Sequence, residues 1–286
     1  HRLTLLQELR VAKNGVHDRD RIKALWTLQG MHLLKKELLL ISLSDPHPMV
    51  RTNAVRLLEP WINQDTIFEA ITNRSSDENF YVRRQVALST SMRYGPKAIF
   101  FLLEQLGTVE NKKFRSAALA SIMGRELEAL DLIAVSNVLA IDTPLHRKTL
   151  TSLVQQILAA QKTGANTQLT DFAANQAKQN AWQSEVVLSA ILAKQKQKQL
   201  RLTRKPTRYN ELFETTSASL YDVAIALNGL LWWEGRRDVK EYVPKRVDQT
   251  VANLINRGKK VYNVCKTCHQ VDGLGLPPTY PPLVDS

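Results

Sequence analysis

The chain has 286 residues, of which 44% are hydrophobic, and it carries a formal net charge of +12 with a pI near 9.7. This length suits one elongated repeat domain and the beginning of a second domain, and the basic charge favours acidic partners. No run of about 18 apolar residues occurs, which excludes a membrane-spanning helix in this sequence.

The first part of the chain repeats a helical unit with a period of about 32 residues. Equivalent positions carry the same kind of side chain: Asp45 and Asp77; Val50, Val82 and Phe114; Arg51, Arg83 and Arg115; and Val55, Ala87 and Leu119. An earlier unit fits at an offset of about 30 residues, with Arg21, Ala24, Leu25 and Leu28 matching Arg51, Ala54, Val55 and Leu58. A fixed period of this size is typical of a solenoid.

In the two clearest copies an Asp precedes an Arg by six residues, as in Asp45 with Arg51 and Asp77 with Arg83. This resembles the HEAT repeat, in which an Asp at the inter-helix turn and an Arg on the second helix form a ladder along the stack. The period is shorter than the roughly 40–47 residues usual for that class. The resemblance predicts an all-α fold with a HEAT-like α-solenoid of helix pairs over residues 1–195; the alternative is an irregular helical bundle.

Helical patterns continue at residues 127–138, 150–160 and 171–192, and Gly164 interrupts them. Residues 194–208 contain seven basic residues and no acidic residue. We interpret residues 196–246 as a basic linker and a connecting helix, in which the charge either contacts an acidic partner or is simply solvated. Trp232 and Trp233 lie in the helical pattern of residues 211–235 and either dock the C-terminal domain or pack in a core.

Both cysteines of the chain lie in the sequence Cys265-Lys266-Thr267-Cys268-His269. Two thiols three residues apart on a helical turn can form thioethers to the two vinyl groups of one porphyrin, and His269 can then ligate the iron. A zinc site would need further ligands, and a thioredoxin-like pair would need a βαβ setting. Neither accompanies the motif, which therefore predicts covalently bound haem c.

The surroundings of this motif resemble those in class I cytochromes c. Apolar spacing over residues 247–264 predicts a helix, and its Gly258 and Tyr262 stand where that family has a close helix crossing. The Gly- and Pro-rich segment after the motif resembles the family's loop in which a proline carbonyl accepts a hydrogen bond from the proximal histidine. By position, the resemblance implies that Pro281 has this role and that Leu283 packs on the porphyrin edge.

Residues 247–286 cover only the N-terminal part of such a domain, because a class I cytochrome c domain has roughly 80–100 residues. A domain of fewer than about 40 residues cannot bury a core unaided. The sixth iron ligand in this family is usually a Met that follows the loop. The methionines here, Met31, Met49, Met92 and Met123, all lie far upstream. We therefore expect the distal iron ligand to lie outside this chain, and the sequence to be a fragment.

The whole arrangement resembles a group of bacterial haem proteins of the membrane-bound dehydrogenase type. In them a β-propeller precedes the HEAT repeats and a cytochrome c domain follows. The resemblance implies that the haem passes electrons from a redox partner protein, or from a dehydrogenase domain of the same polypeptide, to a respiratory acceptor. It also implies a location in the periplasm or on the extracytoplasmic face of a bacterial membrane. The catalytic residues would lie on the propeller, so we assign none to this chain and leave its enzyme class open.

The alternative function is a basic interaction scaffold. HEAT-like repeats also bind proteins and nucleic acids, and the excess of Lys and Arg permits phosphate contacts or association with an acidic membrane surface. Nucleic acid is not the expected partner, because the basic residues lie largely in residues 194–208 without interleaved aromatic residues.

Overall fold

Helices form nearly all the regular secondary structure of the part of the chain that the structure describes. The computed structural model describes residues 17–195 and 200–236, with the isolated residues 11, 14 and 257. Twelve α-helices lie in these ranges: α1 (Asp18–Gly30), α2 (Lys36–Ser42), α3 (Pro48–Leu57), α4 (Asp65–Thr72), α5 (Phe80–Thr90), α6 (Pro96–Thr108), α7 (Lys112–Ile122), α8 (Glu126–Val135), α9 (Pro144–Ala160), α10 (Ala165–Gln176), α11 (Ala181–Gln195) and α12 (Ala218–Asn228). Short 3-10 helices cover Glu59–Trp61, Asn73–Ser76 and Tyr209–Phe213.

Local sequence signals explain where several helices begin. Pro48, Pro96 and Pro144 stand in the first turns of α3, α6 and α9, where proline is tolerated because the first amides of a helix have no partner within it. The side chains of Asn79 and Asn111 accept hydrogen bonds from first-turn amides of α5 and α7, which satisfies donors that the helix itself leaves free.

The second helices of successive pairs pack side by side. Helix α3 contacts α1 and α5, and α5 contacts α7, while α2, α4 and α6 each pack on the second helix of their own pair. The equivalent positions Val50, Val82 and Phe114 are all at most 2% exposed, and Ala54 and Ala118 are fully buried. The prediction of stacked helix pairs is therefore confirmed for these residues.

Beyond α7 further helices continue the array. Helix α8 packs on α6, α9 packs on α6 and α11, and α10 packs on α8 and α11. Gly164 adopts a left-handed φ of +82° just before α10, so it interrupts the helical pattern as predicted. The pattern over residues 171–192 proves to be two helices, because the chain turns between Gln176 and Ala181.

Residues 200–236 pack on the end of this array. The 3-10 helix Tyr209–Phe213 contacts α10, and α12 contacts α11. Two short strands, β1 (Leu200–Arg201) and β2 (Leu231–Trp232), pair in parallel with Leu200 opposite Leu231. The helical pattern predicted for residues 211–235 is wrong after Asn228, because Leu231 and Trp233 are buried while Trp232 points outward, an alternation that belongs to a strand.

The chain divides into two units, residues 1–236 and residues 237–286, and every element named above belongs to the first. The predicted domain ranges 1–195, 196–246 and 247–286 stay predictions, because nearly all of residues 237–286 lie outside the described ranges.

Candidate functional site

The predicted haem site lies outside the described residues. Cys265, Cys268, His269, Pro281 and Leu283 all belong to the part of the chain for which the structure gives no placement. Covalent haem c, its iron ligand His269 and the truncated cytochrome c domain therefore stay predictions.

A ladder of ion pairs joins the second helices of the first three repeats. Arg21 on α1 donates from Nε and Nη2 to the carboxylate of Asp45 at 2.8 and 2.9 Å. Arg51 on α3 donates in the same two-pronged way to Asp77, at 2.8 Å for both atoms. Each Arg thus pairs with the Asp of the following repeat, and the predicted ladder is confirmed at these two rungs.

Each ladder Asp also organises its own turn. Oδ1 of Asp45 accepts from the backbone amide of His47 at 2.8 Å, and Oδ1 of Asp77 accepts from the amide of Asn79 at 2.9 Å. His47 and Asn79 are the residues that precede α3 and α5. The carboxylates therefore fix the turn before each helix rather than bonding the helix amides themselves.

Burial and pairing with Arg51 have opposite effects on the pKa of Asp77. Burial alone would raise the pKa of Asp77, since its side chain is only 4% exposed. Hydrogen bonds from Arg51 and the Asn79 amide, together with the charges of Arg51 and Arg74, outweigh burial, so the pKa of Asp77 lies below its ordinary value. The carboxylate is therefore ionised and paired at neutral pH.

Asp77 is the last ladder position that carries a carboxylate. The next equivalent position is Val109, and among the described residues Arg83 has no carboxylate partner. Its Nη1 donates to the carbonyl oxygens of Asp77 and Glu78 at 2.5 and 2.8 Å. The Nε and Nη2 groups of Arg83 have no acceptor within the described part of the chain.

Arg115 is the next arginine of the series and is only 3% exposed. It donates to the carbonyl oxygens of Leu106 and Val109 and, through Nη2, to the hydroxyl of Thr149 at 2.8 Å. Burial lowers the pKa of the Arg115 guanidinium. At this level of the stack, neutral oxygens on α6 and α9 replace the carboxylate.

A groove of about 1030 Å³ runs between the second helices α5 and α7. We call it the α5–α7 groove, and its lining consists of Phe80, Tyr81, Arg84, Leu88, Asn111, Lys112, Lys113, Ser116, Ala117 and Ala120. Three of these residues are cationic and none is acidic. Tyr81 is 58% exposed and packs edge-on against Phe80 with a 5.7 Å distance between the ring centroids.

Two other grooves of the same unit contain charges of both signs. The groove between α9 and α11 includes Arg147 and Glu185, whose side chains are 3.4 Å apart. The groove beside α1 and α3 includes Arg56 and Glu59. The α5–α7 groove differs from both, because no acidic residue lines it and its cations form no ion pair among the described residues.

The basic stretch of residues 194–208 is partly integrated into the first unit. Leu200, Leu202 and Pro206 are buried, and Arg204 donates to the carboxylate of Asp171 on α10 at 2.6 and 3.2 Å. Part of the positive charge in this stretch is therefore neutralised within the described unit.

The two tryptophans have different environments. Trp233 is 8% exposed, lies 5.2 Å from the ring of Tyr209 and is covered by the guanidinium of Arg236 at 4.4 Å. Trp232 is 36% exposed and stacks with Arg201 at 5.3 Å. Core packing is thus confirmed for Trp233.

Within residues 17–195 and 200–236, no cluster of three or more His, Cys, Asp or Glu side chains is arranged to hold a metal ion. In the same ranges, no helix combines the length and the apolar character needed to cross a bilayer. His17, His32, His47 and His146 lie at separate places in the stack.

Comparison with known families supports the repeat assignment. Residues 36–123 match a family described as HEAT repeats. The match spans α2 to α7, which is the part of the chain that carries the Arg51–Asp77 rung and the α5–α7 groove, and it supports HEAT-like repeats there. HEAT repeats generally mediate contacts between proteins. Comparison with curated proteins gave no match.

The sequence analysis missed the α5–α7 groove. Its signal is nevertheless present, because the two helices together contain five cationic residues and no Asp or Glu: Arg83, Arg84, Lys112, Lys113 and Arg115. The sequence-based expectation put the basic charge chiefly at residues 194–208.

Proposed function

We propose that this chain is a c-type haem electron-transfer protein in which the HEAT repeats are the scaffold. The observation that carries the proposal is the sequence Cys265-Lys266-Thr267-Cys268-His269. Its donor set fits haem c in kind, with one thiol for each vinyl group and one imidazole for the iron. Bound haem supplies reversible one-electron chemistry.

The chain's own residues have distinct roles in this proposal. Cys265 and Cys268 hold the porphyrin through thioethers, and His269 ligates the iron. The carbonyl of Pro281 accepts from the free ring nitrogen of His269, which fixes the tautomer and raises the basicity of the ligand. Leu283 shields the porphyrin edge from water.

The partner in this proposal is a redox protein or a dehydrogenase domain of the same polypeptide. Lys259, Lys260 and Lys266 lie near the haem-binding cysteines in sequence and would attract an acidic partner. Attachment of haem through thioethers takes place outside the bacterial cytoplasm, so we propose a periplasmic or extracytoplasmic location. The ladder of buried ion pairs supports a scaffold that holds its repeats in a fixed register.

The test is the absorption spectrum of the reduced full-length protein, made together with a cytochrome c maturation system. We expect the sharp bands of a c-type haem that stays with the protein on denaturation. The double variant Cys265→Ala/Cys268→Ala should lack covalent haem, and His269→Ala should keep the thioethers but change the spectrum. A wild-type protein without covalent haem under these conditions would end the proposal.

A second candidate is a basic interaction scaffold, which is favoured by the cations of the α5–α7 groove that have no ion-pair partner among the described residues. Binding to duplex DNA at two salt concentrations separates nucleic-acid binding from protein binding. Affinity that persists near physiological salt, with a steep salt dependence, would favour nucleic acid.

A further inference from the structure

We propose that the α5–α7 groove binds an acidic segment of a partner protein. This proposal goes beyond electron transfer, because it concerns only HEAT-repeat residues and does not depend on bound haem.

The charges of the groove are the first argument. Arg84, Lys112 and Lys113 line it, and the structure gives their side chains no ion pair or hydrogen bond within the described residues. Helices α5 and α7 contain no acidic residue, and the exposed Glu78 and Glu110 in the turns before them form no ion pair with these cations within the described part of the chain. Such a surface is complementary to carboxylates.

The positions of Lys112 and Lys113 do not stabilise helix α7. Lys112 and Lys113 are the first two residues of α7, where the positive end of the helix dipole repels cations. The Asn111 side chain already accepts from the Lys113 and Phe114 amides at 3.0 and 3.1 Å, so the helix start is satisfied without them. Placing two lysines here opposes helix stability, and an external anion would relieve that cost.

The dimensions of the groove set the size of the ligand. Its α5 residues and α7 residues match at the repeat offset of 32, as Tyr81 does with Lys113 and Leu88 with Ala120. The two helices therefore run parallel, and the groove extends from Phe80 to Leu88, about 12 Å at 1.5 Å per residue. An extended peptide of about four residues covers this length at 3.3 Å per residue.

The groove has an apolar end as well as a cationic end. Leu88, Ala117 and Ala120 line the part toward the helix C-termini, while Lys112 and Lys113 lie at the N-terminal end. The exposed ring of Tyr81 stands beside the cationic end. The matching ligand carries carboxylates at one end and a small apolar side chain at the other. Because duplex DNA presents a phosphate every 1.7 Å or so over a long surface and no apolar group that would enter this groove, a protein segment fits better.

The experiment measures binding of a fluorescein-labelled four-residue peptide, with two Glu residues at one end and two Ala residues at the other, to the full chain by fluorescence anisotropy, and the peptide is made in both orders. A peptide with Gln in place of every Glu is the ligand control. The test variant is Arg84→Glu/Lys113→Glu, and the charge-matched control is Lys23→Glu/Lys148→Glu, which changes exposed lysines on α1 and α9. Circular dichroism checks that both variants fold as the wild type does.

We expect the acidic peptide to bind the wild type and the Lys23→Glu/Lys148→Glu variant alike, and the Arg84→Glu/Lys113→Glu variant at least about tenfold more weakly. The Gln peptide should bind none of them measurably. Equal losses in both variants would mean that only net charge matters, and would overturn the proposal. So would an absence of binding to the wild type, or binding of duplex DNA that the acidic peptide does not compete away.

The haem-free variant Cys265→Ala/Cys268→Ala keeps this test independent of the electron-transfer proposal. Its affinity for the acidic peptide should equal that of the wild type, whether or not the wild type carries haem. Loss of peptide binding in this variant would place the acidic ligand's site outside the groove and overturn the inference.

Discussion

Arg51 and Asp77 form the more deeply buried of the two ladder rungs, with side chains 8% and 4% exposed. A buried pair contributes little net energy compared with apolar residues of the same size, but the loss of one partner leaves a charge without compensation. We infer that the rung contributes mainly to specificity, because repeats that slip out of register would leave one of the two charges without a partner.

We predict that Asp77→Ala lowers the free energy of unfolding by about 3–5 kcal/mol, because it leaves the Arg51 guanidinium buried without its carboxylate. The matched control is Glu78→Ala, which removes a neighbouring carboxylate that is 88% exposed and 3.5 Å from the same arginine. That variant should change stability by about 1 kcal/mol or less. Urea denaturation measures both, and equal effects would contradict the role of the buried rung.

The same rung gives a pH dependence with a definite sign. The pKa of Asp77 lies below its ordinary value in the folded protein, so the unfolded chain takes up a proton first as the pH falls. The stability from the rung is therefore full above about pH 5 and is lost as the pH drops through about 3.9 toward the lowered value. The stability difference between wild type and Asp77→Asn should shrink over that range. A constant difference would contradict this account.

At the scale of the element, the repeat unit is defined by a turn, an Asp and a second helix. Asp45, Asp77 and Val109 each stand two residues before the residue that precedes a second helix. In all three the backbone carbonyl accepts from Nη1 of the Arg six residues later. The third unit thus keeps the backbone geometry of the turn and lacks only the carboxylate.

We predict that Val109→Asp completes a third rung with the free Nε and Nη2 of Arg83 and stabilises the protein by about 1 kcal/mol. The isosteric control Val109→Asn offers no charge and should give less than half of that gain. Thermal denaturation of both variants measures their stability and checks the prediction. A Val109→Asp protein less stable than the wild type would show that Arg83 is not placed to receive the carboxylate.

Repeat elements were the most predictable part of this chain. Arg51 and its equivalents recur at a fixed offset beside buried apolar residues, so the sequence pattern was enough to predict the pairing of helices and an Asp–Arg ladder. It did not predict that each Arg pairs with the Asp of the following repeat. The turn between α10 and α11 was missed because Ala177, Lys178, Gln179 and Asn180 include no Gly or Pro to mark it. Strand β2 was missed because its apolar run directly follows the periodic pattern of α12.

At the scale of the whole molecule, contacts between distant parts of the sequence were the hardest to predict. The α5–α7 groove exists because two helices 32 residues apart pack in parallel, and the burial of Trp233 depends on Tyr209 more than 20 residues upstream. Composition alone cannot place such partners. The predicted haem site is the opposite case, because the prediction rests on five consecutive residues, which lie outside the described ranges.

The segment of residues 200–236 closes the end of the described array, and Trp233 anchors it. We predict that Trp233→Ala destabilises the first unit by about 3–5 kcal/mol, because a large buried ring is lost. Trp232→Ala should cost about 1 kcal/mol or less, since that ring is 36% exposed. Limited proteolysis of the two variants tests this, with faster cleavage within residues 200–236 expected only for Trp233→Ala. Similar cleavage of both would contradict the anchoring role.

The most direct test of the account is the intact mass of the protein matured with cytochrome c machinery and then denatured. We predict the 32.4 kDa chain plus one haem, an addition that survives denaturation because both thioethers are covalent. In Cys265→Ala/Cys268→Ala the addition should vanish. A wild-type mass equal to that of the bare chain, with both thiols free to react with an alkylating reagent, would contradict the electron-transfer function.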